Sequence, residues 1–251
     1  VIIEASSHGL QQGRLNGINF KAGIFTNFSQ DHLDYHKSMK KYFNAKMILF
    51  SQLLKENNYI ITDKKLKEFG IIKKIAKKNK LNIKDISNVD LRKETKKTNL
   101  IGSFQLKNLA MSVAAAQICG ISKKKIYQVL DKIRNVDGRL QFIKELSNKS
   151  KIYIDYAHTP DALLTTLNSL KYYYKKNISL VFGCGGERDF KKRSLMANIA
   201  KSFCDKIYVT DDNPRNESPK KIRKEIIKNL KGTNYLEIGN RKEAIITAIR
   251  N

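Results

Sequence analysis

The chain has 251 residues, 41% of them hydrophobic, which is sufficient for one large or two medium domains with packed cores. No apolar run approaches the roughly 20 residues that a membrane span requires, and the first residues lack a signal peptide's basic start and apolar core, so we expect a cytoplasmic protein that does not bind membranes. The formal net charge of +26 comes almost entirely from Lys, and we interpret it as a solvated surface rather than a nucleic-acid footprint.

The first half of the chain predicts short strands that alternate with helices. Its first residues are typical of a strand entered midway, so we expect a fragment of a longer protein. Ser38 and Ser122 can each cap a helix, and Gly120 ends the Ala-rich helix between them. Residues 63–99 predict a helix with irregular edge structure, and no function is assigned there. The other predicted elements are strands over 1–4, 22–26 and 58–62 and helices over 38–54, 106–119 and 122–134.

The second half predicts an open, mainly parallel sheet. A buried strand over 152–155 runs into a polar turn, in which Thr159 caps a helix that has Pro160 at its first position. Three further strand-then-helix units follow, over 178–204, 206–230 and 235–250. A turn at Asp137 and Gly138 precedes this half, and we place the domain boundary there, giving domains over 1–136 and 137–251.

Ligands of such sheets bind at the carboxyl ends of the strands, where the most polar residues of this half lie. Asp155 and His158 follow the first strand, residues 183–189 follow the second, and residues 211–215 follow the third. We expect one cleft to collect all three segments.

The glycine-rich segment 183–186 has two interpretations. Glycines let backbone N–H groups approach a phosphate, but the segment matches neither the Walker nor the dinucleotide pattern. Cys184 within it is either a nucleophile or a small residue in a tightly packed backbone, and the lack of a patterned base favours packing. The three cysteines, of which Cys119 and Cys204 are the others, are odd in number and without metal-type spacing, so we expect reduced thiols.

Several charged side chains are candidates for chemistry, each with a structural alternative. Glu4 and His32 offer hard ligands suited to Mg²⁺, or they stabilise loops by hydrogen bonds. For Lys46, residue statistics favour a lysine whose aliphatic stem covers apolar surface. Arg188 and Arg215 suit bidentate binding of a carboxylate, or they form salt bridges between loops.

Seven spaced segments together resemble the Mur ligases of peptidoglycan synthesis over nearly the whole chain. These segments are residues 4–10, 25–36, 45–46, 138–141, 155–162, 183–189 and 211–215. The resemblance implies an α/β protein with part of a central ATPase domain, a mixed or parallel sheet with helices, followed by most of a Rossmann-like C-terminal domain. The family's uridine-binding domain, its phosphate loop with a lysine and its C-terminal Gly-Lys-Gly-His-Glu segment lie outside these residues, so we expect this chain alone to be inactive.

The resemblance also implies residue roles, matched position by position. Glu4 and His32 are implied as Mg²⁺ ligands, and Lys46 as a lysine that CO₂ converts to a metal-binding carbamate. Residues implied for the UDP-muramoyl peptide are Ser6, Gln12 and Arg14. Residues implied for the nucleotide are Asn108, Arg139, Asp155 and His158. Residues implied for the amino acid are Arg188, Asp212, Asn213, Pro214 and Arg215. One departure is Gln105, where the family usually has Asn near the adenine.

The activity implied is an ATP-dependent amide-bond ligase that acts through an acyl phosphate. Its expected partners are UDP-N-acetylmuramoyl-L-alanyl-D-glutamate and meso-diaminopimelate, with ATP and Mg²⁺, and we expect a monomer without nucleic acid. We expect a desolvated Arg215 to select diaminopimelate, whose second carboxylate lysine lacks. The alternatives are a relative with another acceptor, such as a lysine-adding ligase or a folylpolyglutamate synthase, a basic nucleic-acid-binding protein, and a non-catalytic remnant.

Overall fold

The computed structural model describes residues 1–95, 98, 100–187 and 189–251. The chain folds into two compact units. The first unit comprises residues 1–29 and 36–136, and the second comprises residues 30–35 and 137–251. No described helix has the length and apolar character needed to cross a membrane.

The first unit contains a three-stranded parallel sheet in the order β1-β2-β3. Its strands are β1 (Ala22–Ile24), β2 (Tyr59–Thr62) and β3 (Asn82–Asp85). Its helices are α1 (Ser7–Gln11), α3 (Met39–Ile48), α4 (Phe69–Lys78), α5 (Ser103–Ile118) and α6 (Lys123–Tyr127), while α2 (Leu33–His36) begins in the second unit and ends in the first.

The central strand β2 explains how this unit forms two cores. Ile60 and Ile61 are both fully buried, and successive side chains of a strand point to opposite faces. Ile60 packs with the aromatic side chains of Phe25 and Phe50, whereas Ile61 joins the cluster around Leu109 of α5. A parallel strand covered on both faces therefore needs a continuous apolar sequence, which is what β2 has.

Most predicted elements of the first unit are confirmed. Ser38 caps α3, because its side chain accepts a hydrogen bond from the Lys41 N–H at 3.2 Å. A π-helical turn, Leu49–Leu53, continues α3 toward the predicted end. Gly120 follows α5 with a φ of +88°, a left-handed conformation that glycine adopts without strain.

Two predictions for this unit are wrong. Residues 1–6 form no strand, and Val1 and Ile2 are exposed, because none of the described strands pairs with them. The helix predicted from Ser122 to residue 134 ends at Tyr127 and gives way to a 3₁₀ turn, Leu130–Lys132. Leu130 is buried in the apolar cluster of α5, and packing of this side chain overrides the helical pattern.

The second unit contains an antiparallel pair, β4-β5, and a three-stranded parallel sheet in the order β6-β7-β8. Its strands are β4 (Gln141–Glu145), β5 (Lys151–Ile154), β6 (Ser179–Phe182), β7 (Lys206–Val209) and β8 (Tyr235–Glu237). Its helices are α7 (Pro160–Tyr174), α8 (Lys191–Phe203), α9 (Pro219–Ile227) and α10 (Arg241–Arg250).

The helix starts of this unit are confirmed, and the place of its first strand is corrected. Thr159 caps α7 by accepting from the Ala162 N–H, and Asn240 caps α10 by accepting from the Glu243 N–H. The strand before Asp155, expected in the parallel sheet, is β5, which pairs antiparallel with β4 instead. A tight turn, closed by the hydrogen bond from Leu146 N–H to Ser150 O at 2.8 Å, makes this local pairing possible.

Candidate functional site

The glycine turn (residues 183–186), which follows β6, packs closely against the β7 loop (residues 211–215). A Cβ atom on Gly183 would lie 2.2 Å from the Thr210 carbonyl oxygen, and one on Gly186 would lie 1.9 Å from that of Pro214. The Gly186 N–H donates to Asn213 O at 2.9 Å. The glycines therefore let two loop backbones meet, and the Gly186 N–H is used in that contact rather than presented to a phosphate.

Cys184 is buried within the glycine turn, and its sulfur lies 3.9 Å from the Met196 sulfur. Burial raises the pKa of the Cys184 thiol to about 11, so the thiolate needed for nucleophilic attack is scarce near neutral pH. The environment of this thiol agrees with a packing role.

Arg215 lies at the end of the β7 loop with a left-handed φ of +51°. Its Nη1 donates to Gly186 O at 2.6 Å, and the Asn213 side chain accepts from its backbone N–H. The rest of its guanidinium makes no hydrogen bond within the described part of the chain. Arg215 is exposed, so the expectation of a desolvated guanidinium is wrong for this conformation. Asp212 and Asn213 are also exposed.

A buried arginine that the sequence analysis did not single out supports both loops. Arg193 on α8 has a side chain only 2% exposed, and its two terminal nitrogens lie 2.8 Å from Glu217 and 2.8 Å from Glu225. The nitrogen that binds Glu217 also donates to Gly185 O at 3.4 Å. Burial alone would lower the pKa of Arg193, but the two glutamates outweigh it and raise the pKa. We name Arg193, Glu217 and Glu225 the Arg193 network.

Asp155 follows β5 and anchors the surrounding turn. One carboxylate oxygen accepts from the Leu140 N–H at 2.7 Å, and the other accepts from the Ala157 N–H at 2.8 Å and the Thr166 hydroxyl at 3.1 Å. Arg139, beside Leu140, lies over the Tyr156 ring with 4.9 Å between guanidinium carbon and ring centroid. Two residues predicted to bind the nucleotide are thus held at one turn.

His158 lies in the same turn and faces the segment 30–35. Its Nε2 is 3.8 Å from a carboxylate oxygen of Asp31, which is also 3.5 Å from Nε2 of His32. The interaction with the Asp31 carboxylate outweighs desolvation and raises the pKa of His158. Burial would raise the pKa of Asp31, but the two histidines lower it to about 2.

Two side-chain hydrogen bonds, one from a lysine and one from a glutamine, connect segments of the second unit. Lys192 of α8 donates to His158 O at 3.0 Å, and Gln30 donates to the Asp189 carboxylate at 2.6 Å. Together with the contact between the glycine turn and the β7 loop, they bring residues from all three predicted segments near the start of α8. Arg188 lies outside the described residues.

In the first unit, the residues predicted for the muramoyl peptide surround α1. Ser6 caps this helix by accepting from the Gly9 N–H at 3.1 Å, and Gln12 follows its last turn. Ser6, Gln12 and Arg14 are exposed, as is Glu4, which precedes the helix.

Lys46 lies on α3 with its side chain half-buried. Its Nζ is 5.0 Å from the centroid of the buried Tyr42 ring. The contact agrees with a lysine whose stem lies along apolar surface, and it does not exclude the carbamate that the resemblance implies.

The two positions in the first turns of α5 that were considered for adenine binding differ in their exposure. Asn108 is exposed, whereas Gln105 is buried. Beside them, Lys107 pairs with Asp63 at 2.7 Å, and the Asp63 side chain is 1% exposed. Burial would raise the pKa of Asp63, but the ion pair with Lys107 outweighs it and lowers the pKa. No motif of the sequence indicated Asp63, although it directly follows the buried strand β2.

The predicted metal ligands fit only a metal held by few protein groups. The residues that the structure describes contain no group of three or more His, Cys, Asp or Glu side chains able to hold a metal ion. Glu4 offers one carboxylate and His32 one imidazole, and Lys46 offers an oxygen only as a carbamate. This donor chemistry suits Mg²⁺ whose remaining positions are filled by phosphate and water.

Two family models together cover most of the chain. Residues 1–116 match the Mur ligase middle domain, and residues 138–251 match the Mur ligase glutamate ligase domain. The chain belongs to the Mur ligase family.

Individual relatives within the family carry more specific names. The chain is 40% identical, over 271 residues, to the UDP-N-acetylmuramoyl-L-alanyl-D-glutamate--2,6-diaminopimelate ligase of Rickettsia bellii (strain RML369-C), covering 99% of this chain and 56% of the relative. A solved structure of a ligase with this name is 31% identical with a TM-score of 0.55, covering 96% of this chain and 54% of that one. The chain thus spans about half the length of these relatives.

A more distant structure shows the fold alone. The Mycobacterium tuberculosis folylpolyglutamate synthase complexed with ADP is 14% identical with a TM-score of 0.75, covering 95% of this chain and 58% of that one. The fold class expected from the sequence is therefore confirmed.

Proposed function

We propose that the protein is an ATP-dependent ligase that adds meso-diaminopimelate to UDP-N-acetylmuramoyl-L-alanyl-D-glutamate, in the cytoplasm. The names of the relatives at 40% and 31% identity support this assignment. We propose ATP, UDP-muramoyl dipeptide and diaminopimelate as its partners, and a monomer as its assembly.

The observation that supports diaminopimelate as the amino-acid substrate is the position of Arg215 in the β7 loop. Its Arg215 guanidinium is held at one nitrogen by Gly186 O, and its other N–H groups face no hydrogen-bond acceptor within the described residues. A guanidinium presents a planar fork to a carboxylate. Diaminopimelate carries a second carboxylate that this fork can bind, whereas lysine has none.

The reaction requires two steps. The D-glutamyl carboxylate of the nucleotide peptide attacks the γ-phosphorus of ATP, which releases ADP and leaves an acyl phosphate. The amine of diaminopimelate then attacks the acyl carbon, loses a proton, and expels inorganic phosphate to form the amide. Most of the catalytic effect in such a reaction comes from positioning and electrostatics.

The residues of this chain have separate positioning roles in that scheme. We assign the muramoyl peptide to Ser6, Gln12 and Arg14 around α1. We assign the nucleotide to Asn108, Arg139, Asp155 and His158. For the phosphate groups, Arg139 is the cationic member of this set, and the Asp31 carboxylate shifts the pKa of His158 upward, toward its charged form.

We assign the amino acid to Asp212, Asn213, Pro214 and Arg215, with Arg188 as a further contact. The Arg193 network supports this loop, because Glu217, which pairs with Arg193, lies two residues after Arg215. We infer that Glu4, His32 and carbamylated Lys46 hold Mg²⁺, which neutralises charge on the transferring phosphoryl group when bound.

Arg215→Ala in the full-length protein tests the amino-acid assignment. Because Arg215 is exposed, losing its carboxylate contact should cost about 1 to 2 kcal/mol, or roughly fivefold to thirtyfold in the ratio of kcat/KM for diaminopimelate to that for lysine. KM for ATP should change little. Arg92→Ala, which removes an exposed arginine paired with Asp90 in the first unit, is the matched control.

Three results would decide between the alternatives. A wild type that prefers lysine would exclude the diaminopimelate assignment. An Arg215→Ala protein with lower stability but unchanged selectivity would make Arg215 a loop-holding residue. Salt-dependent binding of DNA without ligation would favour the nucleic-acid alternative.

A further inference from the structure

A buried pair of polar side chains connects α1 with the last residue of α2, shortly before α3 begins. The Ser7 hydroxyl oxygen and Nε2 of His36 lie 2.9 Å apart in a hydrogen bond. Ser7 is 2% exposed and His36 is 3% exposed. A buried polar group that loses its partner costs about 1 to 3 kcal/mol, so each side chain constrains the position of the other.

On one side, the pair fixes the helix that carries the predicted muramoyl-peptide contacts. Ser7 is the first residue of α1, directly after Ser6 and shortly before Gln12 and Arg14. Gly9 lies in the same turn, and a Cβ atom there would be 3.1 Å from the Ser6 hydroxyl oxygen. The backbone around α1 is therefore tightly packed, and a shift of Ser7 would move its neighbours.

On the other side, the pair leads to Lys46. The His36 ring stacks on the Tyr42 ring, with 5.2 Å between centroids and an interplanar angle of 27°. Tyr42 also contacts Lys46, whose Nζ lies 5.0 Å from the ring centroid. Ser7, His36, Tyr42 and Lys46 thus form a continuous series of contacts inside the first unit.

We propose that Ser7 and His36 form a positioning pair that sets the muramoyl-peptide contacts of α1 relative to Lys46 on α3. The pair touches no substrate itself. It acts by preventing α1 from moving against α3, so that the acceptor carboxylate and Lys46 keep their relative position. This inference rests on the proposed function, because that function assigns the peptide to α1 and the carbamate to Lys46.

The test uses Ser7→Ala, His36→Phe and the double variant in the full-length protein. His36→Phe keeps an aromatic ring against Tyr42 and removes the hydrogen bond. Small displacements at a reacting centre are costly, so kcat/KM for the UDP-muramoyl dipeptide should fall by about tenfold to a hundredfold in each single variant. KM for ATP should stay within about twofold, and the double variant should be no worse than the singles because they break the same contact.

A matched control removes another buried hydrogen bond of the same unit. Thr62 donates its hydroxyl to Phe25 O at 3.2 Å, so Thr62→Val loses a contact of similar burial outside the series. His36→Gln, whose amide nitrogen can still bond Ser7, should recover part of the lost activity.

The outcomes are separable from those of the proposed function. If the wild type does not ligate, the proposed function fails and the pair has no peptide to position. If the wild type ligates and Ser7→Ala and His36→Phe lower thermal stability as Thr62→Val does, with kcat/KM unchanged, the pair is only structural and the inference is wrong.

Discussion

Replacing Arg193 by Met should destabilise the second unit more than any change at an exposed ion pair. The methionine keeps an apolar stem in the space that the arginine stem fills, and it removes both contacts to Glu217 and Glu225. Breaking a buried ion pair by removing one partner typically costs about 3 to 5 kcal/mol. The two glutamates are 27% and 32% exposed and regain part of their hydration, so we expect about 2 to 4 kcal/mol.

Urea unfolding followed by circular dichroism measures this loss, and hydrogen exchange of the α8 and α9 amides assigns it to the second unit. Lys151→Met is the control, because Lys151 and Glu145 form an exposed pair of the same unit at 3.6 Å. That variant should lose less than about 1 kcal/mol. If Arg193→Met is as stable as Lys151→Met, the Arg193 network does not hold the glycine turn and the β7 loop.

Two other predictions concern pH and the metal site. The hydrogen bond from Arg193 lowers the pKa of Glu217 below its ordinary value of 4.5, so the stability that Glu217 contributes is present above about pH 4.5 and is lost as the pH falls through the folded-state pKa. The Tm of Glu217→Gln should therefore be lower than that of the wild type at pH 7, and the difference in Tm should shrink as the pH falls. A difference in Tm that does not change with pH would contradict the ion pair. Lys46→Ala in the full-length protein should abolish ligation, with partial rescue by a short carboxylate, and full activity of the variant would exclude a carbamate at this position.

Much of the local structure follows from the sequence because its causes are local. Ser38, Ser122 and Thr159 are the predicted helix caps, and the side chain of each accepts the expected backbone hydrogen bond. The sequence also predicts a strand over 58–62, which β2 confirms. The seven motif segments also indicated the family, which the two domain matches establish.

The wrong predictions all involve partners distant in sequence or competing contacts. The apolar residues 1–3, followed by Glu4, indicated a strand, but a strand forms only where another one offers hydrogen bonds. The residues before Asp155 have a strand sequence, but composition does not say whether the neighbouring strand is parallel or antiparallel. Leu130 enters the core of the first unit, and this ends a helix that periodicity would extend.

The candidate site divides in the same way. Residue type and order are enough to show which chemical groups are present, such as the guanidinium of Arg215, the imidazole of His158 and the amine of Lys46. The surroundings of these groups depend on the tertiary structure. The tertiary structure places the glycine turn against the β7 loop, leaves Arg215 exposed and buries Arg193 between two glutamates. Burial and pairing of this kind depend on side chains brought together from distant parts of the chain.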